Sequence, residues 1–299
     1  MNAAELAQFV PNVHFEQIPI KNLVSNQEYQ RELSIRHVNK TAQEFDLYQI
    51  NPVKVSRRDG VNYVFDGQHT IEIVAKVSGS RETPVWCMIY DDLSYQTEAD
   101  IFANQKKGTK NLLPYEIFKA NVEAGNSLQL NIKACVESYG LKLCSTTADM
   151  CICAVSALEF IYNKFGFQTL DETLMICAGT WEGEKLSLSA NFLKGIAKLI
   201  SAYGDELIPE VFIERLGVVS VKEIIRSARE RHNGSLGYAE TMLQFYNRKT
   251  KTGLRRSKLY KHDDELENEE SDEEEQNSDS DRDDGFESDE DEQIEMEIL

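Results

Sequence analysis

The sequence lacks the features that would place it in a membrane or among zinc proteins. No apolar run is long enough to span a bilayer, and the N-terminus has no basic stretch followed by an apolar one. The six cysteines form no CxxC pair and no cluster with histidine, so the spacing argues against a zinc site. Because the cysteines lie in or near apolar stretches, we expect buried reduced thiols, rather than disulfides, in a cytoplasmic protein with no membrane partner. They are Cys87, Cys135, Cys144, Cys151, Cys153 and Cys177.

Basic residues are almost absent from the end of the chain. Residues 262–299 contain 21 Asp or Glu and one basic residue, Arg282. Residues 1–261 hold 31 Lys or Arg against 30 Asp or Glu, so the formal net charge of -19 belongs almost entirely to the tail. A segment of this composition cannot bury enough apolar surface to offset its ordering entropy, and we predict that 262–299 is a disordered acidic tail.

The body of the chain is hydrophobic enough for a buried core, and its pattern changes once along its length. Short strand-like and helix-like runs alternate over 12–125, which predicts a small mixed-sheet α/β domain. Apolar residues then recur at helical spacing over 126–250, where Gly140 and Gly166 mark expected helix ends. A basic segment follows at 251–261. The predicted fold class is therefore α+β, a small mixed-sheet domain followed by an all-helical domain.

A sharp junction in the first domain is the main candidate for a binding site. "VKVSRRDGVNYVF" predicts a hairpin around Arg58-Asp59-Gly60, and "QHTIEIVAKV" predicts a helix. Only Asp66 and Gly67 separate them. The first amides of a helix lack partners within it and favour negative charge, while a glycine lets a phosphate approach the backbone closely. The junction is consistent with a phosphate site or with a plain tight turn in which Asp66 caps the helix.

The order of elements over residues 15–125 resembles the N-terminal domain of the ParB/sulfiredoxin-like superfamily. Gly67-Gln68-His69-Thr70 stands where ParB-type chains carry a basic Gly-Glu-Arg-Arg turn. Gln30-Arg31 and Asp66-Gly67-Gln68 look like two paired elements of restriction-type relatives, and Asn104 and Lys107 fall in the family's Glu-Asn-x-x-Arg helix end. The segment "LLPYEIFKA" matches the family's following Leu-x-Pro-x-Glu segment. The resemblance implies a nucleotide and DNA as partners.

Several departures from the family motifs argue against efficient hydrolysis. Thr70 offers one hydroxyl where relatives have an arginine with a bidentate, permanently charged grip on phosphate. Ala103 replaces the glutamate that the resemblance makes the source of hydrolytic chemistry, and Lys107 replaces the arginine. Gln68 stands where sulfiredoxin needs a cysteine, which excludes that activity if the alignment holds.

The resemblance thus implies a site that binds a nucleotide, CTP or ATP with Mg²⁺, and hydrolyses it little or not at all. Arg31 and Lys107 would add positive charge, and Asn104 a hydrogen bond. The alternative for Gln68 and His69 is that both side chains face solvent. A role for His69 as a metal ligand is not expected, because no partner histidine or cysteine lies at a suitable spacing. The candidate residues are Gln30, Arg31, Asp66, Gly67, Gln68, His69, Thr70, Asn104 and Lys107.

A second candidate surface lies in the helical half. "PEVFIERLGVVSVKEIIRSARERH" predicts a helix, a turn at Gly217 and a second helix, which is the outline of a DNA recognition unit. The predicted second helix carries Lys222, Arg226, Arg229 and Arg231 roughly along one side, and Val221, Ile224, Ile225 and Ala228 line the other. An ordinary solvated helix has the same pattern. With the basic segment near the C-terminus, the candidate DNA-binding residues are Lys222, Arg226, Arg229, Arg231, Arg255 and Arg256.

Three functional hypotheses follow. The first is a ParB-like nucleotide- and DNA-associated protein of a phage or another mobile element, with a homodimer as an expected assembly. The second is a metal-dependent nucleotide hydrolase, kinase or nuclease that uses Asp66 or Glu72. The third is a protein-interaction adaptor whose acidic tail mimics DNA or binds a basic partner. The tail either competes with nucleic acid for the basic surface of 222–261 or only keeps the protein soluble.

Overall fold

The computed structural model describes residues 13–25, 28–91, 93–104, 111–232, 234–248 and 253–262. It divides into two compact units between residues 110 and 111. A mixed sheet with helices forms the first unit, and helices form most of the second, which confirms the predicted α+β class. The domain boundary expected after residue 125 lies one helix beyond this division. The predicted acidic tail lies outside the described residues.

A five-stranded mixed sheet is the frame of the first unit. Its strands are β1 (Val13–Pro19), β2 (Leu23–Val24), β3 (Val53–Arg58), β4 (Val61–Asp66) and β5 (Pro84–Asp91). Their spatial order is β1-β5-β3-β4-β2. The β1–β5 and β3–β4 pairs are antiparallel, whereas β3–β5 and β2–β4 are parallel. The β3–β4 hairpin turns at Asp59 and Gly60, which both have positive φ angles (52° and 77°), as the Asp-Gly pair predicts.

The α-helices that the structure describes in the first unit are α1 (Ile35–Gln43), α2 (Gln68–Ser78) and α3 (Tyr95–Asn104). The α2 helix buries Ile71 and Val74 in a cluster with Val55 and Val64 of the sheet. Each such side chain contributes roughly 1.5–3 kcal/mol when it leaves water. This packing fixes the place where β4 passes into α2.

The described residues of the helical unit form one large hydrophobic core. Its helices are α4 (Pro114–Glu123), α5 (Ser127–Ser138), α6 (Val155–Trp181), α7 (Ala190–Tyr203), α8 (Pro209–Leu216), α9 (Val221–Arg229) and α10 (Gly234–Asn247). The α7 helix packs against both α6 and α10, and Phe192 and Ile196 on it are fully buried. A glycine with positive φ follows α5 at Gly140, and the conformation of Gly166 (φ 87°, ψ 166°) breaks α6. Both glycines therefore interrupt helices where the sequence predicts.

The expectation of reduced thiols is wrong for one cysteine pair. Two short parallel strands, β6 (Lys142–Leu143) and β7 (Cys151–Ile152), bring the Cα atoms of Cys144 and Cys151 to 5.6 Å, and the two cysteines form a disulfide. The strand pairing that brings them together is not visible in their apolar context. The expectation of buried, reduced thiols is confirmed for Cys87, Cys135 and Cys177.

A helical segment at 256–262 packs on the helical unit. Leu259 is fully buried, and the Tyr203 hydroxyl donates a 2.8 Å hydrogen bond to the carbonyl of Arg255. Asn247 exchanges two side-chain hydrogen bonds with the backbone of Leu254 (2.9 and 2.8 Å). The part of the basic segment that the structure describes is therefore folded onto the unit.

Candidate functional site

The junction between β4 and α2 depends on the backbone of Gly67. Its φ and ψ angles of 99° and 20° lie in the left-handed region, which favours glycine. A Cβ atom at this position would lie 3.3 Å from the Cα atom of Val53, so little room exists for a side chain. Asp66 does not cap the helix, because its carboxylate Oδ2 lies 3.0 Å from Nζ of Lys54 on the neighbouring strand.

The first turn of α2 has backbone donors without acceptors. Gly67 is the N-cap and supplies no side chain, and its carbonyl accepts a 3.1 Å hydrogen bond from the amide of Ile71. The amides of Gln68, His69 and Thr70 make no hydrogen bond to any residue that the structure describes. Such donors, together with the helix dipole, attract anions. The α2 start is therefore chemically able to hold a phosphate oxygen.

The segment 30–34 runs beside this turn and is tied to it by hydrogen bonds. Gln30 Nε2 donates to the carbonyl of Val64 (2.8 Å), and Gln68 Nε2 donates to the carbonyl of Arg31 (2.6 Å). The amide of Ser34 donates to Nε2 of His69 (3.1 Å). The structure thus brings Gln30 and Arg31 to the Asp66–Thr70 turn, as the resemblance implied.

Gln68 and His69 do not simply face solvent, which was the alternative for them. Gln68 is 6 % exposed, and its Oε1 atom is buried without a hydrogen-bond partner among the described residues. His69 is half-buried, and burial lowers its imidazole pKa, with further lowering by the charges of Arg31 and His37. A neutral His69 fits its role as the acceptor for the Ser34 amide.

A cleft of about 440 Å³ lies beside Thr70 within the first unit. Its α1 wall carries His37, Lys40 and Thr41, which recur at the i, i+3, i+4 spacing of one helix face. None of these three residues is among the candidates predicted from the sequence, although their spacing on one helix face was available as a signal. Other lining residues include the acidic side chains Glu44 and Asp46.

The carboxylates that could serve a metal-dependent enzyme are already engaged. Asp66 pairs with Lys54, and Glu72 forms a bidentate pair with Arg81 (2.9 and 3.0 Å). Among the described residues, no group of three or more His, Cys, Asp or Glu side chains is placed to hold a metal ion. Within the described part of the chain, the α2 amides fit a phosphate, but the acidic side chains do not form a set that would hold a magnesium ion.

The remaining predicted nucleotide-site residues lie at and after the end of α3. Asn104 Nδ2 donates to both the carbonyl and the carboxylate of Asp100 (2.9 and 3.0 Å), so this amide is used within its own helix. Lys107 lies outside the described residues. Among the described residues, Asn104 makes no hydrogen bond to the turn at Gly67.

The α8–α9 pair has the predicted helix-turn-helix outline. The inward side of α9 is confirmed, because Val221, Ile224, Ile225 and Ala228 are all buried. The α9 N-cap is Ser220, whose Oγ accepts a 3.2 Å hydrogen bond from the amide of Glu223. On the outer side a groove of about 630 Å³ includes Lys222, Arg226 and Arg229 among its lining residues.

Two other predicted DNA-binding arginines have structural partners. Arg231 lies beyond the end of α9 at Arg229, contrary to the prediction that the helix carries it, and its Nη1 lies 3.3 Å from Oε1 of Glu240. Arg256 also pairs with this carboxylate, and His232 Nε2 lies 3.4 Å from Oε2. Since Glu240 is only 4 % exposed, Arg231 and Arg256 compensate a buried charge. Arg255 lies at the start of the packed C-terminal segment, where its carbonyl accepts the hydrogen bond from the Tyr203 hydroxyl.

No helix of the described residues is long and apolar enough to cross a membrane.

In a comparison with solved structures, the chain is similar to the C-terminally truncated chromosome-partitioning protein ParB from Caulobacter crescentus complexed with CTP-gamma-S. The identity is 12 %, the TM-score is 0.33, and the match covers 77 % of this chain and 98 % of that one. At this level the similarity supports neither a site nor a function here.

The sequence itself gives a firmer assignment. No curated protein matches the chain. Residues 24–259, which span both compact units, match a family described as "Family of unknown function (DUF6551)". This protein therefore belongs to the DUF6551 family.

Proposed function

We propose that this protein binds a nucleotide through its phosphates at the start of α2 and associates with DNA through α9, with little or no hydrolysis. The observation that carries the proposal is the first turn of α2, where the amides of Gln68, His69 and Thr70 have no acceptor among the described residues. Oriented backbone donors at a helix start are a recurrent phosphate site in proteins.

The surroundings of the turn favour an anion of extended shape. Arg31 lies at the turn, since its carbonyl accepts from Gln68 and its charge lowers the pKa of His69. The cleft beside Thr70 carries Lys40 and Thr41 on α1, which offer a further cation and a hydroxyl. A phosphate at the amides therefore has room beside it for the rest of a nucleotide, and CTP and ATP are the candidates to test first.

The contacts of the acidic residues argue for binding rather than catalysis. Hydrolysis or phosphoryl transfer needs a base or metal ligand beside the phosphate. The two nearby candidates, Asp66 and Glu72, instead hold Lys54 and Arg81. Ala103 also supplies no carboxylate at the helix end where the family motif has a glutamate.

DNA association is the second half of the proposal and rests on the outer side of α9. Lys222 and Arg226 make no ion pair with any described residue, so their charges remain available for phosphates. The buried side of α9 holds the helix on the unit through Ile224 and Ile225. The helix is thus packed on the unit through its apolar side, and its basic side would contact a DNA groove.

A single charge at the α2 start tests the nucleotide site. Thr70→Glu places a carboxylate at the third position of α2. There the carboxylate interacts favourably with the helix dipole but repels a phosphate. We expect affinity for the preferred nucleotide among CTP, ATP and GTP to fall by about tenfold or more, because 1.4 kcal/mol of repulsion is tenfold in affinity. Equilibrium binding of labelled nucleotides, with and without Mg²⁺, measures the change.

The matched control is Thr97→Glu. Thr97 is also the third residue of its helix, α3, where its amide donates to Oγ of the capping Ser94 (3.1 Å). We expect this variant to bind nucleotide as the unchanged protein does. Product analysis in the same assay tests for turnover, which would favour the hydrolase hypothesis. Absence of saturable binding by the unchanged protein would refute the nucleotide proposal.

A further inference from the structure

We infer that the Cys144–Cys151 disulfide is a thiol-exchange site, in which Cys153 competes with Cys151 for a bond to Cys144. The reactants that suit such a site are small thiols and their disulfides, such as glutathione and glutathione disulfide. The site lies in the helical unit at the short β6–β7 pair. The inference does not depend on nucleotide or DNA binding.

The pairing of β6 with β7 brings a third cysteine beside the disulfide. The two strands are parallel, and Leu143 lies opposite Ile152. The amide of Cys144 donates a 3.0 Å hydrogen bond to the carbonyl of Ile152. Continuing the register by one position puts Cys153 opposite Cys144. Because side chains alternate along a strand, Cys151 and Cys153 belong to the same side of the pair.

Both Cys151 and Cys153 are within reach of Cys144. The Cα atoms of Cys144 and Cys151 are 5.6 Å apart. Neighbouring strands lie about 4.8 Å apart, and both separations fall within the range of about 4.4–6.8 Å that disulfides span between Cα atoms. The cysteine at 153 carries a thiol, because it is not part of a disulfide. A bond between Cys144 and Cys153 therefore requires no change of strand register.

Hydrogen bonds hold the loop between the bonded cysteines in place independently of the disulfide. The carbonyl of Met150 accepts from the amide of Lys142 (2.8 Å), and the amide of Met150 donates to the carbonyl of Gly183 (2.7 Å). Asp149 Oδ1 accepts from the amide of Lys185 (2.9 Å). None of these contacts involves a sulfur atom. They would keep the cysteines adjacent after the bond opens, which favours formation of a new intramolecular bond.

Exposure distinguishes this site from the other thiols of the described chain. The three cysteines of the β6–β7 site are partly exposed, and residues 145–150 between the bonded pair are all exposed. Burial raises the pKa of Cys87 to about 11 and the pKa of Cys135 and of Cys177 to about 12. Since the thiolate is the form that reacts, small thiols and disulfides should modify the β6–β7 site selectively.

The exchange balances without any further reactant. A glutathione thiolate attacks the sulfur of Cys144, the bond to Cys151 breaks, and the Cys151 thiolate takes a proton from water. The Cys153 thiol, after losing its proton to solvent, attacks the same Cys144 sulfur and expels the glutathione thiolate, with no net oxidation. If a second glutathione thiolate attacks the mixed disulfide instead, Cys144 leaves as a thiolate and glutathione disulfide forms, so the protein gains two electrons.

Isomer analysis of the full-length protein tests the inference. The protein is equilibrated in glutathione redox buffers and quenched with acid, its thiols are alkylated, and mass spectrometry locates the label. Within the site, a label on Cys153 alone reports the Cys144–Cys151 bond, and a label on Cys151 alone reports the alternative bond. We expect the alternative to make up about a tenth or more of the oxidised protein, because both pairs satisfy the separation that a disulfide needs.

Matched variants assign the roles of the cysteines. Cys151→Ser should still form a disulfide at Cys144, now with Cys153. Adding Cys153→Ser to this variant removes the competing thiol, so the mixed disulfide between glutathione and Cys144 should increase severalfold. Cys135→Ser is the control, since a serine hydroxyl can replace the thiol as donor to Asp171, and it should leave the isomer ratio unchanged.

The unchanged protein decides the outcome. If it contains no Cys144–Cys153 bond, the inference is overturned, whatever the Cys151→Ser variant shows. Glutathione incorporated at Cys87, Cys135 and Cys177 to the same extent as at the β6–β7 site would overturn it too, because the reaction would then report general unfolding. Nucleotide and DNA binding are measured separately, so their failure would refute the proposed function and leave the exchange site standing.

Discussion

The start of α2 and the Glu240 cluster differ in whether their polar groups have partners within the protein. At the α2 start, three backbone donors have no acceptor among the described residues, and Gly67 contributes no cap. At Glu240, one buried carboxylate has Arg231, His232 and Arg256 around it. Two arginines compensate the charge of Glu240 through Oε1, although Oε2 makes no hydrogen bond to any described residue, so the cluster stabilises the fold and has no uncompensated charge for a ligand. Of these two sites, only the α2 start is therefore proposed to bind an external anion.

The largest effect on stability should come from the Glu240 cluster. Glu240→Ala removes the acceptor shared by Arg231 and Arg256 and leaves a cavity, and we expect the free energy of unfolding to fall by about 2 kcal/mol. The estimate is modest because both arginines can reach water. Glu206→Ala, which removes an exposed pair with Lys258, is the control and should change stability by less than about 0.5 kcal/mol. Denaturant unfolding of both variants measures the difference, and equal losses would contradict the structural role of Glu240.

A smaller loss should follow from changing the backbone at the unsaturated site. Gly67→Ala combines a positive φ angle of 99° with a Cβ only 3.3 Å from Val53, and we expect a loss of about 1.5 kcal/mol in the free energy of unfolding. Gly79→Ala, at the other end of α2, has a φ angle of 68° and nothing within 4 Å, so only about 1 kcal/mol should be lost. Thermal unfolding of the two variants tests the ranking. If Gly79→Ala is the more damaging change, the crowding at Val53 is not important.

The smallest expected effect is a pH dependence that originates beside the α2 start. The folded protein lowers the pKa of His69 from its ordinary value of 6.5, so the unfolded chain binds a proton more readily. The contribution of neutral His69 to stability is therefore complete above about pH 6.5 and is lost as the pH falls toward the lower, folded pKa. His69→Gln keeps an acceptor for the Ser34 amide and cannot titrate.

We expect the melting temperature of the unchanged protein to drop more between pH 7.5 and pH 5.5 than that of His69→Gln. These two pH values bracket the ordinary histidine pKa of about 6.5. NMR titration of the imidazole, assigned by its absence in the variant, gives the pKa directly. A His69 that titrates above its ordinary value would contradict both the burial and the nearby positive charge of Arg31.

Local patterns predicted much of the fold and part of the candidate site. The Asp-Gly turn of the hairpin, the helix breaks at Gly140 and Gly166, and the buried side of α9 all follow from short-range geometry. Gln30 and Arg31 were placed near Gly67 by resemblance, since no local pattern joins segments so far apart in the chain. The cleft residues on α1 were missed because their spacing has a function only when α1 lies beside α2.

By itself the sequence determined most of the order of strands and helices in the first unit, the glycine junction before α2 and the side on which α9 is buried, but not the short β6 and β7 strands within the predicted all-helical domain. Those features depend on backbone preferences and on the spacing of apolar residues within a few turns. The tertiary structure alone decided which polar groups are satisfied. It assigned Arg256 to Glu240, Asp66 to Lys54 and Cys144 to Cys151, and it left the α2 amides without acceptors among the described residues. The physical reason is that hydrogen bonds, ion pairs and disulfides form between groups that chain folding brings together, whatever their distance along the chain.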